Sequence, residues 1–350
     1  MQSGFLCETQ LQEYVSITGC DRGIVELTAR LAEEMAGGER KEATYLLEYL
    51  RAMRNFASGG LVADFRGGRV ADLRFQYRTH GSIGRLYALC RTGGTVEGRA
   101  ASDTRRGLCL QGAPGVLRPL FCGAFAHDID IVNCQPTIAV QMCDQFAITP
   151  PVGLPMLDDY IANRDAWVQR VADYHALTDD ASIRKDVVKS LMVRLLFGGT
   201  YEGWLRKLSL DRGKREPSVQ RVAQELASLR RAVFASAEWA PFCDAAFRRA
   251  RAQGKDDRAA ERSVFAFILQ SIEAWILAST LRTVAASGLK VLAAMYDGFV
   301  LLHVDDFDVD RFMRQAEADV LHSTGFRISL SEKPLFGLHT QRLCLKREGK

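Results

Sequence analysis

Apolar positions repeat with two different periods along this chain, and the changes of period divide it. Residues 1–60 read as helical. Within them, ERKEATYLLEYLRAMRNF sets Leu46, Leu47, Leu50 and Met53 on one stripe, and Gly59-Gly60 ends the helix. Over residues 70–92 the period shortens. LRFQYRT, a HGSIG turn and RLYALC predict a β-hairpin, followed by a Gly/Arg/Thr-rich loop at 93–107. Residues 121–146 predict strand, turn and helix, with Pro136 suited to a first helical turn. Residues 155–285 are mostly helical, broken by a basic loop at 206–217. In AAMYDGFVLLHV, residues 293–304, Asp297-Gly298 separates two apolar runs and predicts a hairpin. A helix near 307–322 and a short strand, FRISLS, follow. Strands that flank a long helical insertion imply an α+β plan.

Composition narrows the class only a little. With 350 residues, 47% hydrophobic and 25% charged, the chain is ordinary globular material with room for two or three subdomains. No apolar run approaches ~20 residues, so no membrane span is expected. The start, MQSGFLCETQ, lacks the pattern of a secretory signal. Nine scattered cysteines without a CxxC fit reduced intracellular thiols, not a structural zinc site. An intracellular location is expected; cytoplasm, nucleus and viral replication site are not distinguished. A net charge of +4 permits a nucleic-acid partner without demanding one.

The candidate chemistry is acidic and basic in separate places. Asp297 stands at a hairpin tip. Asp128 and Asp130, two apart in AHDIDIVNCQPTI, face one side of a strand, while Ile129 and Ile131 face the other. Carboxylate strands brought together from distant sequence suit Mg²⁺, which takes hard oxygen ligands and keeps substrate phosphates and waters as well. In TDDASIRKDVVKSLMVRLLFGGTYEGW, Asp180 or Ser182 can cap a helix that Gly198-Gly199 ends. Lys185 and Lys189 lie one turn apart, and Met192 and Leu196 are expected to continue their face, with Phe197 beside it. Two cations and an aromatic are the parts needed to hold a nucleoside triphosphate.

These stretches resemble the three motifs of family A DNA polymerases and single-subunit phage-type RNA polymerases, in the same order. The first is a strand aspartate before a turn and helix, here Asp128 or Asp130. The second is a helix spaced as Lys185-x3-Lys189-x7-Phe197-Gly198. The third is the hairpin Asp297. Upstream, Ile83-Gly84-Arg85-Leu86 and Leu110-Gln111-Gly112-Ala113-Pro114 are similar to the family's T-G-R-L and L-Q-N-x-P stretches. SVFAFILQSIEAWIL, with Gln270, is similar to the helix preceding the third motif. DIDIVNCQPTI with YDGF looks closest to the polymerases of eukaryotic transposons and large DNA viruses. The chain departs from the pattern at Tyr296, where His is usual, at Phe197, where Tyr is common, and in offering two aspartates in the first motif.

The resemblance covers roughly residues 75–305 and implies a right-hand fold. Its parts would be a helical thumb-like region (1–69), a palm (70–150 and 266–350) and helical fingers (151–265). It implies a template-directed nucleotidyltransferase, most simply a DNA polymerase extending a primer, with Mg²⁺ (two ions) or Mn²⁺ as cofactor. Asp130 and Asp297 would be metal ligands, with Asp128 the alternative to Asp130. Lys185, Lys189, Phe197, Gly198 and Gln135 would bind nucleotide, with Lys189 the proton donor to pyrophosphate. Arg85, Gln111 and Gln270 would contact the duplex. The basic stretch 206–215, holding Arg206, Lys207, Arg212, Lys214 and Arg215 against Asp211, reads either as a solvated loop or as a phosphate-backbone contact. Other readings are an RNA polymerase or primase of the same fold, a two-metal nuclease, and a catalytically silent nucleic-acid-binding module. The partners implied are primer–template and nucleoside triphosphates, with a separate helicase, for a monomer without a membrane. The residues do not settle deoxy- against ribonucleotide use or the template type.

Overall fold

The computed structural model describes residues 8–16, 61–65, 68–79, 86–89, 111 and 126–333. The chain is α+β and forms two compact units. One comprises residues 1–132, 274–323 and 329–350; the other comprises 133–273 and 324–328.

Among the described residues the first unit has two antiparallel sheets. One joins β1 (Glu8–Ser16), β2 (Leu61–Phe65), β3 (Gly68–Thr79) and β4 (Leu86–Leu89). β3 and β4 form the expected hairpin, with Thr79 opposite Leu86 and Gln76 opposite Leu89. The helical reading of residues 1–60 fails at Glu8–Ser16. ETQLQEYVS is a strand that pairs with β3 along its whole length, Glu8 opposite Arg78 and Ser16 opposite Val70. A long-range partner supplied the backbone hydrogen bonds there, and local propensity did not decide the outcome. The proposed stripe at 46–53, the Ile83–Leu86 stretch with Arg85, and residues 93–107 lie outside the described residues.

The second sheet carries the chemistry. Its order is β6–β7–β5–β8, all antiparallel, with β5 (Ala126–Ile131), β6 (Val291–Met295), β7 (Gly298–Leu302) and β8 (Leu330–Lys333). β5 alternates as expected, Ile129 and Ile131 buried and Asp128 and Asp130 partly exposed. β6 and β7 are apolar without alternation, and Leu292, Ala293, Ala294, Phe299, Val300 and Leu301 are fully buried. A hairpin buried on both faces is held rigidly. α9 (Val309–Thr324) packs through Phe312, which meets Phe299 edge to face. It also meets the C-terminal part of α8 (Asp257–Ala286), where the Thr283 hydroxyl donates to Asp319 at 2.8 Å. α8 is long and apolar enough to cross a membrane by composition, contrary to the reading of the apolar runs, but most of its apolar stretch is buried in the protein as a core helix.

The second unit is helical. It contains α1 (Cys134–Gln145), α2 (Pro155–Ala162), α3 (Arg164–Tyr174), α4 (Ala181–Leu196), α5 (Tyr201–Lys207), α6 (Pro217–Ala235), α7 (Ala240–Ala252) and the first part of α8. Trp167, Trp204, Trp239 and Phe265 fill its core. The buried carboxylate of Glu225 accepts from the backbone N–H groups of Met156 and Leu157, both at 2.9 Å. These are orphan donors of the first turn of α2, and an acid there also suits the helix dipole.

Candidate active site

Backbone register brings two of the predicted carboxylates together. In the β5–β7 ladder Asp130 lies directly opposite Gly298, the residue after Asp297. One step further, the Ile131 N–H donates to the Asp297 carbonyl at 2.8 Å. The Asp297 backbone is therefore held beside β5 by a main-chain bond, at the step next to Asp130.

The hairpin differs from the expected one in a telling way. Met295 pairs with Gly298, so the two turn residues are Tyr296 and Asp297, and Gly298 already belongs to β7. Its φ is not in the left-handed region. The glycine serves close approach instead. A Cβ at 298 would strike the Ile129 carbonyl oxygen and would lie 2.9 Å from Asp130 Oδ1 and 3.0 Å from Asp130 Cα. Only a missing side chain lets the Asp130 carboxylate sit over β7 next to Asp297.

On the other flank β8 places Ser331 opposite Asp130 and Lys333 opposite Asp128. The Lys333 ammonium crosses the diagonal and pairs with Asp130 Oδ2. Burial, together with the charges of Asp297 and Asp128, raises the Asp130 carboxyl from 3.8 to about 6, even though Lys333 pulls the other way. The site concentrates negative charge in a place with little water. A divalent cation is the natural relief, and Asp130 and Asp297 are the residues that fit it. Among the described residues no cluster of three or more His, Cys, Asp or Glu side chains is arranged to hold a metal ion. Two carboxylates remain compatible with Mg²⁺, because substrate phosphates and waters complete its shell.

The raised value has a sign that can be tested. Between about pH 4 and pH 6 the folded chain keeps a proton that the unfolded chain has lost. The contribution of Asp130 to stability therefore falls as pH rises through that window. From 3.8 to about 6, at 1.36 kcal/mol per pH unit, the full effect is about 3 kcal/mol. In urea unfolding with chelator present, wild type is expected to lose stability relative to Asp130→Asn between pH 4 and pH 7. Parallel pH profiles for the two proteins would place the carboxyl in ordinary solvent.

The predicted triphosphate helix is α4, in the second unit. Asp180 Oδ1 accepts from the Ile183 N–H at 3.0 Å, so Asp180 serves as its cap. Gly198 and Gly199 close it as a Schellman motif, with Gly198 N–H to the Leu195 carbonyl at 3.0 Å and Gly199 N–H to the Arg194 carbonyl at 2.7 Å. Gly198 has φ +77°, which explains a glycine there without any ligand. Lys185 and Lys189 are exposed, whereas Met192 and Leu196 are buried. The four lie on one face, as expected, but its N-terminal half, bearing the lysines, is solvated and its C-terminal half is buried. Lys185 meets Asp165 at 3.9 Å with both side chains largely in water, a pairing worth little. Phe197 is half-buried.

Several other predicted residues have structural partners. Gln111 is buried, and its amide donates to the Ala294 carbonyl on β6 at 2.9 Å. Gln135 is buried, and its Nε2 donates to Glu273, itself fully buried, while Gln135 Oε1 finds no partner among the described residues. Gln270 is half-buried on α8. The basic stretch begins on α5, and its hub is Glu202, which Arg206, Arg212 and Arg215 approach at 3.8, 4.0 and 3.9 Å. Asp211 instead accepts from the Gly213 N–H at 2.8 Å and shapes the turn. His127, beside the site in sequence, is tied to Glu332 at 2.7 Å and to His303 at 2.9 Å.

Reasoning on the sequence missed Lys333 and Glu273. Ser331 and Lys333 alternate as a strand should, but only the pairing of β8 with β5 shows which carboxylate the lysine meets. Glu273 sits in an apolar run, where a lone acid carries no sign of its partner.

No family model matches the chain. A Sputnik virophage protein, V13, whose name proposes a helicase, is 24% identical over 241 residues, or 66% of this chain. The chain spans only about a quarter, 27%, of that relative. Among solved structures, the POL domain of Pol1 from M. smegmatis, in complex with DNA primer-template and dNTP, is similar with a TM-score of 0.47 and 12% identity. That match covers 86% of this chain and 54% of the other.

Proposed function

We propose that the protein is a template-directed nucleotidyltransferase of the right-hand polymerase type, with DNA polymerase activity favoured. The observation that carries the reading is the placing of Asp130 against the Asp297–Gly298 step, where a glycine is required for the two carboxylates to approach. The motif order and spacing support it. In the palm–fingers–thumb plan the β6–β7–β5–β8 sheet would serve as palm and the helical unit as fingers.

In the reaction a primer 3′-hydroxyl attacks the α-phosphate of an incoming nucleotide, and pyrophosphate leaves. Asp130 and Asp297 would hold two Mg²⁺ ions, and the chemistry these would supply is a lower pKa for the hydroxyl and neutralisation of charge on the leaving group. Asp128, on the same face of β5, is the alternative ligand to Asp130. Lys185 and Lys189, exposed on α4, would neutralise the triphosphate, and Lys189 would deliver a proton to pyrophosphate. Phe197 would stack on the new base pair. Gln135, whose buried Oε1 has no partner among the described residues, would take a nucleotide donor. Arg85, Gln111 and Gln270 would line the duplex. Arg206, Lys207, Arg212, Lys214 and Arg215 would meet its phosphates, since the exposed pairs with Glu202 are weak enough to exchange.

A helicase reading, suggested by the name of the virophage relative, has no support in these residues. The 350 residues contain no G-x-x-x-x-G-K-[ST] loop for the phosphates of a nucleoside triphosphate. A nuclease would use the carboxylates without needing Lys189.

Primer extension with each nucleotide set on DNA and RNA templates tests the proposal, and Lys189→Ala sharpens it. That variant is expected to lose about 10²-fold in kcat/KM, through both kcat and nucleotide KM, at unchanged primer–template affinity. Weaker template binding with intact nucleotide kinetics would move α4 to the template side. No extension on any template by the wild-type protein would remove the polymerase assignment.

A further inference from the structure

Asp130 lies on a strand with a neighbour on each side, and the two neighbours differ in kind. β7 contributes a glycine and a second carboxylate. β8 contributes a cation. Lys333 stands opposite Asp128, on the same face as Ser331, and its ammonium reaches diagonally to Asp130 Oδ2. The other carboxylate oxygen, Oδ1, lies over Gly298. The two partners differ in freedom: the Asp130 side chain is 14% exposed and held in the ladder, while that of Lys333 is 52% exposed on a flexible four-carbon stem. The carboxylate cannot leave, but the ammonium can.

We propose that Lys333 is an internal counter-ion that occupies the cation position on Asp130 Oδ2 and is displaced when a divalent ion binds there. It is a positioning residue, holding Asp130 in place while sending one of its oxygens to an ammonium and the other toward β7. Because ion and ammonium share one oxygen, Lys333 also sets the metal concentration at which the site fills. A single positive charge among Asp128, Asp130 and Asp297 satisfies the site only in part, so a divalent ion wins the exchange. The inference rests on the two-carboxylate metal reading above and adds a competitor to it.

The test is Mn²⁺ binding by the full chain, at fixed pH and low salt, followed by calorimetry and by the electron paramagnetic resonance signal of free Mn²⁺. Lys333→Met is expected to bind Mn²⁺ roughly 5-fold more tightly than wild type, the scale of removing a half-exposed ion pair. Its melting temperature without metal should fall, and its stabilisation by Mn²⁺ should grow. Lys333→Arg keeps the charge and should stay within about 2-fold of wild type. A lysine with only a packing role would lower stability without tightening metal binding. Folded Lys333→Met, or Lys333→Gln should the former fail to fold, with equal or weaker Mn²⁺ affinity overturns the counter-ion role. If wild type binds Mn²⁺ and Asp297→Asn abolishes it, that outcome leaves the metal site standing. Binding by neither wild type nor the Lys333 variants removes both.

Discussion

Asp297→Asn is expected to reduce nucleotide incorporation by about 10³-fold or more while the protein remains folded. The substitution is nearly isosteric at a half-buried turn. It leaves the bond from the Ile131 N–H to the residue 297 carbonyl in place, because that bond is made by the main chain. What it removes is one of the two charges that would face a metal in the proposed reaction. Metal stabilisation of transition-state charge is worth several kcal/mol, and each 1.36 kcal/mol is tenfold in rate. The same loss should appear without turnover. Millimolar Mg²⁺ with nucleotide should raise the melting temperature of wild type, since a ligand bound only by the folded state stabilises it by mass action. Asp130→Asn and Asp297→Asn should each lose most of that shift, and the double variant should lose little more, because two ligands of one ion act as a unit. Additive, independent losses would separate the two aspartates, and full incorporation by Asp297→Asn would end the metal-ligand assignment.

Gly298→Ala is expected to cost the protein both stability and activity through a single methyl group. The added carbon would strike the Ile129 carbonyl and press on Asp130, beside the fully buried Ile129 and Phe299. Overpacking of this kind costs about 1–3 kcal/mol, read as a lower midpoint in urea unfolding. Relief by parting β5 from β7 would move Asp130 away from Asp297. A displacement of about 1 Å at a reacting centre can cost 10²-fold, so turnover per folded molecule should fall by about that much. A variant that is less stable but turns over normally would make Gly298 a packing residue alone. Normal stability and turnover together would contradict the close approach itself.

The local pattern reached far into this protein wherever an element's own residues decide its form. DIDIVNCQPTI reads as strand, turn and helix because the alternation of Ile129 and Ile131 with Asp128 and Asp130, and then Asn133 and Pro136, leave the backbone few choices. The lysine helix could be bounded at both ends, since its cap at Asp180 and its Schellman close at Gly198-Gly199 are local hydrogen bonds. The acidic and basic residues worth attention were visible by type and spacing.

Register and burial were decided only by the tertiary structure. ETQLQEYVS became a strand because β3 offered a partner more than fifty residues away. The turn of the β6–β7 hairpin fell on Tyr296-Asp297, one residue earlier than the Asp-Gly pair suggests, because pairing with β5 requires Gly298 inside the ladder opposite Asp130. Met192 and Leu196 stay on the lysine stripe but are buried, because packing covers only the C-terminal half of that stripe. The partners of Gln111, Gln135 and Lys333 come from residues 183, 138 and 203 positions away. Sequence by itself determined which side chains could do chemistry. Which of them meet, and how far a carboxylate's proton affinity rises when they do, depends on distance and desolvation, and those exist only once the strands have paired.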